Sequence, residues 1–317
     1  MTMGLSEIKN AMDQAQRILL VAHIQPDGDT LGSCFALKRI LEKLDKQVTL
    51  CCDGDMPSRY MELFNADEML SAQAVNEDIE TAVSVDCADS ARLGKCLKLF
   101  RSAKQTINID HHITNDGFAE LNYISAASSV GEIIFEMMGL FGVKPDEKIA
   151  QSLYIAMSTD TGNFTYSNTS RKCLAYTSEI VELFDLRGTA DVLFRRRSLV
   201  ATQLIGRAIS RLETFMDGRI ASVTLLEGDM KEFGAQSEDC DSVVDFAREI
   251  EETQAAVFFR ELPAGIKISF RSKGKIDVGA VAAKFGGGGH KGASGCCVSG
   301  KLDEVKSAVI EKLKELV

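Results

Sequence analysis

The sequence predicts an α/β fold, in which a parallel-sheet N-terminal domain is joined by a helical connector to a smaller α+β C-terminal domain. Short apolar runs alternate with segments of helical periodicity up to about residue 128, a pattern typical of βαβ units. Mostly helical periodicity follows, and a second set of short strands begins after residue 214. The length of 317 residues is that of two domains or one large one.

In the predicted N-terminal domain, residues 1–188, each strand is a short apolar run, and each helix repeats apolar residues every three or four positions. The predicted strands are residues 17–23, 47–52, 81–86 and 105–110. The predicted helices are residues 30–44, 91–102, 128–141, 146–158 and 171–184. The alternation of the two kinds of element indicates a mostly parallel sheet.

The predicted connector, residues 189–214, has no cluster of turn-forming residues before Asp217-Gly218, so we expect it to be helical. The predicted C-terminal domain is residues 215–317, a size within the usual range for a domain. Its predicted strands are residues 219–226, 254–261 and 265–271, and its predicted helices are residues 241–251, 278–285 and 302–316.

The composition, 45% hydrophobic and 26% charged, is that of a globular protein and excludes disordered, collagenous and membrane-embedded classes. Because 36 basic residues face 46 acidic ones, the net charge is −10, and no general attraction to long nucleic acid or to a membrane is expected. We expect a cytoplasmic protein with reduced thiols. The nine cysteines include no CxxC pair, the N-terminus does not resemble a leader, and no apolar run reaches about 18 residues.

The first candidate site motif is HIQPDGD, which lies between the apolar run RILLVA and a predicted helix. His23, Asp27 and Asp29 bring one imidazole and two carboxylates within seven residues, and Pro26 and Gly28 favour a tight bend. A solvated turn with a helix N-cap at Asp29 would explain DGD alone. Three ligand-type side chains at the carboxyl end of a strand favour a binding site, because ligand groups gather there in parallel sheets.

Three further motifs put acidic or imidazole side chains at the ends of predicted elements. Asp86 closes the apolar strand TAVSVD, the run Asp110, His111 and His112 closes TINI, and Asp160 in STDTGNF ends a helix that Gly162 interrupts. Each motif by itself is also compatible with polar surface residues at the end of an element. Together they can converge at one side of one sheet.

A cluster of four or five carboxylates repels itself unless cations neutralise it. Mixed carboxylate and imidazole ligands without thiolates suit Mn²⁺ best, with Mg²⁺ or Fe²⁺ as alternatives, and disfavour a structural zinc site. One carboxylate shared by two such ions is the arrangement of a two-metal hydrolase. The sequence therefore predicts a metal-dependent hydrolytic site in the N-terminal domain.

The segment FGGGGHKGASG contains six glycines and His290, and backbone N–H groups of such a segment can approach an anion closely. It matches neither a Walker loop nor the GxGxxG fingerprint, and a flexible turn would explain the glycines alone. Residues 260–292, however, hold seven basic residues against Glu261 and Asp277. The seven are Arg260, Lys267, Arg271, Lys273, Lys275, Lys284 and Lys291.

Arg271 and Ser272 end a predicted strand, where a guanidinium fork and a hydroxyl could grip a terminal phosphate. The run Arg195-Arg196-Arg197 in the connector is a second basic cluster. For this run we expect a solvated helix face or salt bridges rather than contact with a substrate.

The motifs together resemble the DHH phosphoesterases that carry a DHH-associated C-terminal domain, in particular the stand-alone bacterial branch of nanoRNases and pAp phosphatases. The motifs that carry this resemblance follow one another in order over almost the whole chain. They are HIQPDGD, SVD, NIDHH, SSVGEI, STDTGNF and, in the second domain, FRS and DVGAVAAKFGGGGHKGASG.

The resemblance implies a two-lobed fold with substrate held in the cleft between the domains. It implies two Mn²⁺ ions, one on His23, Asp27 and Asp86 and the other on Asp29, Asp86, His111 and Asp160. It further implies that His112 contacts the scissile phosphate, with Asp110 orienting an imidazole and Asp86 bridging the ions. The nucleotide end and its phosphate would be bound by Arg271, Ser272, Gly288, Gly289 and His290.

The activity expected from the resemblance is hydrolysis of short 5′-phosphorylated oligoribonucleotides to mononucleotides and of 3′-phosphoadenosine 5′-phosphate (pAp) to AMP. The first alternative is a phosphodiesterase acting on cyclic di-AMP or linear pApA. A pyrophosphatase or exopolyphosphatase and a non-catalytic nucleotide-binding module are further alternatives. Long nucleic acid and membranes are not expected as partners, and a homodimer is an expectation from the family alone.

Overall fold

The computed structural model describes residues 3–75 and 78–317, with the exception of the His290 side chain. It divides into two compact units, Met1–Arg196 and Arg197–Val317. The predicted α/β class is confirmed, since a parallel sheet forms in the first unit and a mixed sheet in the second. No helix among the described residues combines the length and the apolar character needed to cross a membrane.

The first unit is built on a six-stranded sheet in which every strand pairs in parallel with its neighbours, in the order β3-β2-β1-β4-β5-β6. The strands are β1 (Arg17–Val21), β2 (Gln47–Cys51), β3 (Met69–Leu70), β4 (Thr81–Val85), β5 (Gln105–Asp110) and β6 (Leu121–Ile124). The apolar runs of β1, β4 and β5 are buried, as expected for central parallel strands. The short edge strands β3 and β6 were not predicted.

Seven α-helices accompany this sheet in the described part of the first unit. They are α1 (Leu5–Gln14), α2 (Gly28–Glu42), α3 (Leu97–Ser102), α4 (Val130–Leu140), α5 (Glu147–Asp160), α6 (Arg171–Ile180) and α7 (Leu186–Ala190). Helices α2 and α5 approach closely because Gly32 has no side chain. A Cβ atom there would lie 2.4 Å from the carbonyl oxygen of Ser152 and 2.7 Å from the amide nitrogen of Ala156.

The helix predicted over residues 91–102 is interrupted. Residues Ser90–Cys96 form 3₁₀ turns, and only α3 is α-helical. Gly94 breaks the helix, because it has φ of +54° and a Cβ atom there would lie 2.4 Å from Oδ2 of Asp53. This interruption brings the preceding residues against the loop that follows β1, where the amide of Ile24 donates to the carbonyl of Arg92 at 2.8 Å.

The predicted helical connector is also interrupted. A π-helical turn, Asp191–Arg195, follows α7, and α8 (Leu199–Ile209) begins after an extended Arg196 and the N-cap Ser198. The boundary between the two compact units falls in this interruption. Arg195 pairs with Asp191, and Arg196 binds Glu62 through both carboxylate oxygens, so two members of this basic run form salt bridges.

The second unit contains a six-stranded sheet in the order β11-β12-β10-β9-β8-β7, antiparallel except between β8 and β9. Its strands are β7 (Glu213–Phe215), β8 (Ile220–Leu225), β9 (Ala255–Leu262), β10 (Gly265–Ser272), β11 (Gly288–His290) and β12 (Ala293–Val298). After α8, the helices are α9 (Glu227–Glu232), α10 (Val243–Arg248), α11 (Val278–Lys284) and α12 (Leu302–Lys314). The glycine run thus enters strand β11 rather than forming only a turn.

A buried ion cluster fastens α8 to α9 in the second unit. Asp229 accepts hydrogen bonds from Arg207 at 2.7 Å and from Nη2 of Arg211 at 3.0 Å, and it also receives the amide of Leu226 at 2.7 Å. Burial by itself would raise the pKa of Asp229. The Arg211 guanidinium outweighs this effect and lowers the pKa of Asp229 below its usual value. The sequence alone did not predict that α8 and α9 are joined in this way.

Candidate active site

The candidate metal ligands of the first unit meet at one edge of its sheet. His23 lies just beyond β1, Asp86 directly follows β4, and His111 directly follows β5. Because β1, β4 and β5 are parallel neighbours, their carboxyl ends are side by side. The start of α2 and the end of α5 bring Asp27, Asp29 and Asp160 to the same place.

The start of α2 uses its two aspartates differently. Asp27, and not Asp29, is the N-cap, because its Oδ1 accepts from the amide of Thr30 at 3.0 Å. Asp29 is buried, and its oxygens accept from the amides of Val130 at 2.7 Å and Gly131 at 3.0 Å. The carboxylate of Asp29 therefore sits at the N-terminus of α4, where the helix dipole favours negative charge.

Asp86 has an unusual backbone and an incompletely bonded carboxylate. Its φ is +58°, a left-handed conformation that aspartate and asparagine tolerate better than most residues. Its amide donates to the carbonyl of Ile109 at 2.9 Å, and its Oδ2 accepts from the hydroxyl of Thr30 at 2.7 Å. Its Oδ1 is buried and has no hydrogen-bond partner among the described residues.

The side chains form three overlapping groups whose ligand atoms lie within 4.8 Å of one another in each group. The groups are His23, Asp27 and Asp86; Asp29, His111 and Asp160; and Asp86, His111 and His112. Nε2 of His23 lies 3.9 Å from Oδ2 of Asp86, and Nε2 of His111 lies 3.6 Å from Oδ1 of Asp86. Asp86 is thus between the two imidazoles.

Burial and mutual repulsion make three carboxylates of this cluster hard to ionise, whereas the pKa of Asp27 is lowered because His23 and Thr30 outweigh its burial. Burial together with Asp160 raises the pKa of Asp29 to about 7, and burial raises the pKa of Asp160 to about 6. Burial and the neighbouring Asp29 raise the pKa of Asp86 well above its usual value. Burial opposes protonation of His111, but Asp29 and Asp160 outweigh it and raise the pKa of that imidazole.

The residues present fit divalent cations. Oxygen and imidazole ligands converge, the unbonded Oδ1 of Asp86 points to a missing partner, and the repulsion among carboxylates is of the kind that cations relieve. No cysteine belongs to any of the three groups found among the described residues. This donor set suits Mn²⁺, Mg²⁺ or Fe²⁺ better than a structural zinc ion.

His112 is held by a pair of residues on the same segment. Its Nδ1 lies 2.7 Å from Oδ1 of Asp110, a buried residue whose Oδ2 accepts from the amide of Asn115 at 2.5 Å. Burial by itself would raise the pKa of Asp110. The hydrogen bond from His112 outweighs this effect and lowers the pKa of Asp110. The carboxylate therefore orients the imidazole through Nδ1.

Sequence reasoning missed several residues that support these side chains. The amides of Asn108 and Asn115 both donate to the carbonyl of Cys87 at 3.1 Å, directly after Asp86. The amide of Asn168 donates to the backbone carbonyl of Asp160 at 3.1 Å. Asn115 lies shortly after NIDHH, and Asn168 lies shortly after STDTGNF. Their closeness to these motifs was the sequence signal that could have identified them.

Arg92 was also missed. Its Nη2 lies 3.1 Å from Nδ1 and 3.2 Å from Nε2 of His23. Burial lowers the pKa of His23, and the adjacent guanidinium acts in the same direction. A positive charge thus lies at the edge of the carboxylate cluster.

In the second unit, Arg271 and the glycine run lie on two strands, β10 and β11, that flank β12. Arg271 on β10 and His290 on β11 both pair with Ala293 of β12, so their backbones are at the same level of the sheet. Gly289 has φ of +138°, and a Cβ atom there would lie 2.7 Å from the carbonyl oxygen of Ala293. Gly288 is open, with nothing within 4 Å of a Cβ.

The Arg271 side chain donates to the carbonyl of Phe270 at 3.0 Å, and its Nε lies 3.7 Å from Oδ1 of Asp245. Ser272 is buried, and its hydroxyl oxygen accepts from the amide of Gly274 at 3.0 Å. The predicted basic patch loses one member. Arg260 is 5% exposed, and its guanidinium donates to the backbone carbonyl and the hydroxyl of Ser237.

Comparison with known families agrees with this architecture. The model of the DHH family N-terminal domain matches residues 17–157, and that of the DHHA1 domain matches residues 217–315. The chain belongs to the DHH family of phosphoesterases, with a DHHA1 domain in its C-terminal part. It is therefore a hydrolytic enzyme of the phosphoesterase class.

Among its relatives is the bifunctional oligoribonuclease and PAP phosphatase NrnA of Thermus thermophilus, which is 31% identical over 94% of this chain and 89% of that protein. The Bacillus subtilis protein of the same name is 28% identical over 92% of this chain and 93% of its own length. The cyclic-di-AMP phosphodiesterase PdeA of Listeria monocytogenes is 27% identical over 89% of this chain but only 45% of that protein.

Two solved structures share the fold. An exopolyphosphatase-related protein from Bacteroides fragilis has a TM-score of 0.92 and 25% identity, covering 98% of this chain and 96% of that one. RecJ from Thermus thermophilus, solved in complex with Mn²⁺, has a TM-score of 0.55 and 15% identity, covering 98% of this chain and 53% of RecJ. The second likeness concerns the fold alone.

Proposed function

We propose that this protein is a manganese-dependent phosphoesterase that degrades short oligoribonucleotides to mononucleotides and converts pAp to AMP. The observation that carries the proposal is the convergence of carboxylates and imidazoles around the unbonded Oδ1 of Asp86 at one sheet edge. Relatives named for both activities, similar over about nine-tenths of the chain, support the choice of substrate.

In this proposal, His23, Asp27 and Asp86 hold one ion, and Asp29, Asp86, His111 and Asp160 hold the other. The distances of 3.9 Å and 3.6 Å from Asp86 to the imidazoles of His23 and His111 support its role as the shared ligand. When bound, two divalent cations supply an activated water and neutralise charge on the phosphoryl oxygens.

His112 is the protein group proposed to address the scissile phosphate. Because Asp110 accepts the Nδ1–H hydrogen bond of His112, Nε2 is the nitrogen left to face a phosphoryl oxygen, and it donates to that oxygen when the ring is in its doubly protonated form. Asn115 restrains Asp110 in turn, which keeps the imidazole in one orientation without contacting the substrate.

The nucleotide end is proposed to bind the second unit through Arg271, Ser272, Gly288, Gly289 and His290. The guanidinium suits bidentate contact with a phosphate, and glycine backbone allows close approach of an anion. The net charge of −10 disfavours long polyanions, so substrates of a few nucleotides are expected. A cytoplasmic location and a homodimer complete the proposal, and cell fractionation and light scattering test them.

A second candidate is hydrolysis of cyclic di-AMP or linear pApA, favoured by the similarity to PdeA. That protein is matched over less than half of its length, so this activity ranks second. The proposed metal site could hydrolyse the phosphodiester bonds of oligoribonucleotides and those of cyclic di-AMP or pApA. The size of the nucleotide that the protein binds decides which of them is its substrate.

The experiment is a comparison of turnover on pAp, 5′-phosphorylated dimers to pentamers, pApA, cyclic di-AMP and pyrophosphate with Mn²⁺, resolving products by length. The Asp86→Asn variant is the control for contaminating nucleases. We expect pAp and the short oligomers to be hydrolysed at least tenfold faster than cyclic di-AMP and pyrophosphate. Preferred hydrolysis of cyclic di-AMP would favour the second candidate, and binding without turnover would contradict both.

A further inference from the structure

Arg92 is fastened to the predicted metal site by its backbone and its side chain. Its carbonyl accepts from the amide of Ile24 at 2.8 Å, and its Nη2 is almost equidistant from the two ring nitrogens of His23. Nε2 of the same ring faces Oδ2 of Asp27 at 4.0 Å. The guanidinium therefore lies at the carboxylate cluster and not on the outer surface of the 3₁₀ turns.

Among the described residues, the Arg92 guanidinium forms no ion pair with a carboxylate, and its side-chain contacts are with the ring nitrogens of His23. Lys95, on the same 3₁₀ segment, instead pairs with Asp53 at 3.1 Å. An arginine seldom remains partly buried without an anion, because its fork of N–H groups needs acceptors. A neutral His23 ring offers the fork one acceptor nitrogen and a metal-binding ring offers none, so most of the five N–H groups receive no acceptor from this contact.

A cation on His23 makes this arrangement less favourable, because two positive charges then lie within a few ångströms of each other. An anion that touches both removes the repulsion. A phosphoryl oxygen is such an anion, and a guanidinium contacts it with short, charge-assisted hydrogen bonds. Charge that develops on this oxygen during hydrolysis strengthens the contact.

We propose that Arg92 is a catalytic residue that donates hydrogen bonds to the non-bridging oxygens of the scissile phosphoryl group. This inference rests on the proposed phosphoesterase function and adds a protein cation to that site. It concerns phosphate monoesters and diesters equally, since both carry non-bridging oxygens.

The test compares Arg92→Gln and Arg92→Lys with Lys95→Gln, which removes the same charge from the same segment without approaching His23. With Mn²⁺ and pAp, we expect kcat of Arg92→Gln to fall about 100-fold, the usual cost of losing one preorganised donor. Arg92→Lys should keep part of the activity, since it retains the charge but not the fork. Lys95→Gln should stay within about twofold of the wild type.

Binding measurements separate contact with phosphate from an effect through His23. Calorimetric titration with Mn²⁺ alone should give affinities for Arg92→Gln within about threefold of the wild type. Titration of the Mn²⁺-saturated protein with inorganic phosphate should be weakened at least tenfold in Arg92→Gln and unchanged in Lys95→Gln. If the glutamine variant does not fold, Arg92→Lys is titrated instead, and it should bind inorganic phosphate more weakly than the wild type because it lacks the guanidinium fork.

Wild-type kcat and phosphate affinity in Arg92→Gln would overturn the inference. An equal loss of Mn²⁺ affinity and activity would also overturn it, since Arg92 would then act only on the His23 ligand. If the wild-type enzyme hydrolyses none of the nucleotides, the proposed function fails. The phosphate titration still decides whether Arg92 binds the anion.

Discussion

The hydroxyl of Thr30 donates a 2.7 Å hydrogen bond to Oδ2 of Asp86, whereas Oδ1 of the same carboxylate is buried and receives no hydrogen bond from the described residues. One oxygen is thus fixed by α2 and the other is left to face His111. Burial of a carboxylate in this state, beside Asp29 and Asp27, destabilises the protein until a cation is present.

Replacement of Asp86 by asparagine should abolish activity and stabilise the metal-free protein. Asparagine tolerates the φ of +58°, so the backbone is preserved. Loss of several kcal/mol of metal-dependent charge stabilisation lowers turnover about 10³-fold. Removal of the repulsion should raise the melting temperature in EDTA by about 2–6 °C. A lower melting temperature in EDTA would contradict the repulsion.

Removal of metal should destabilise the wild-type protein. Ions that bind only the folded state stabilise it by about 2.7 kcal/mol at a concentration 100 times the dissociation constant. Calorimetry should therefore show a melting temperature several degrees higher in Mn²⁺ than in EDTA, and a smaller difference for Asp86→Asn. Identical melting curves with and without Mn²⁺ would refute binding at this cluster.

Asn115→Ala should impair catalysis more than Asn108→Ala. Both variants lose a 3.1 Å hydrogen bond to the carbonyl of Cys87, but only Asn115 also restrains Asp110. We expect kcat to fall about tenfold in Asn115→Ala with little change in KM, and both variants to lose roughly 1–3 kcal/mol of stability. Equal kcat values for the two variants would show that the contact with Asp110 has no catalytic effect.

Gly32→Ala should destabilise the first unit by roughly 1–3 kcal/mol, because the new Cβ would meet the backbone of α5 at 2.4 Å. Gly139→Ala is the matched control. Gly139 lies in α4 and has nothing within 4 Å of a Cβ, so alanine should be neutral or stabilise by about 0.5–1 kcal/mol. Urea unfolding measures both. Comparable destabilisation by the two substitutions would refute a steric cause.

The Asp229 cluster should make the second unit sensitive to acid. The pKa of Asp229 is lower in the folded state, so its stabilising contribution is present above the unfolded pKa of about 4 and disappears as the pH falls through the folded value. Asp229→Asn should lower the free energy of unfolding by about 2 kcal/mol at pH 7, because Arg207 and Arg211 lose a charged partner. The loss is not larger because both arginines are partly solvated.

Urea unfolding of the wild type and Asp229→Asn between pH 7 and pH 3 tests this dependence. The difference in unfolding free energy between the two proteins should shrink as the pH falls below about 4. A difference that stays constant over this range would mean that hydrogen bonding, and not charge, stabilises the cluster.

Much of the fold could be predicted because its signals are local. The apolar runs of β1, β4 and β5 and the periodicity of α2, α4 and α5 are visible in the sequence. The two-residue strand β3 and the short β6, β7 and β11 were missed, since pairing with a neighbour, and not a run of apolar residues, makes them strands. The break at Gly94 likewise lies against Asp53, 41 residues earlier in the chain, whose Oδ2 accepts from the amide of Lys95 at 2.9 Å.

The sequence by itself indicated which chemistry is available, because aspartates and histidines at the ends of predicted elements favour Mn²⁺, Mg²⁺ or Fe²⁺ over a structural zinc ion. Only the tertiary structure decided how these groups are held. Asp29 is bound by amides 101 and 102 residues away, and Asp86 takes a left-handed backbone supported by β5. Such contacts join residues far apart in the chain, so no local pattern of residues encodes them.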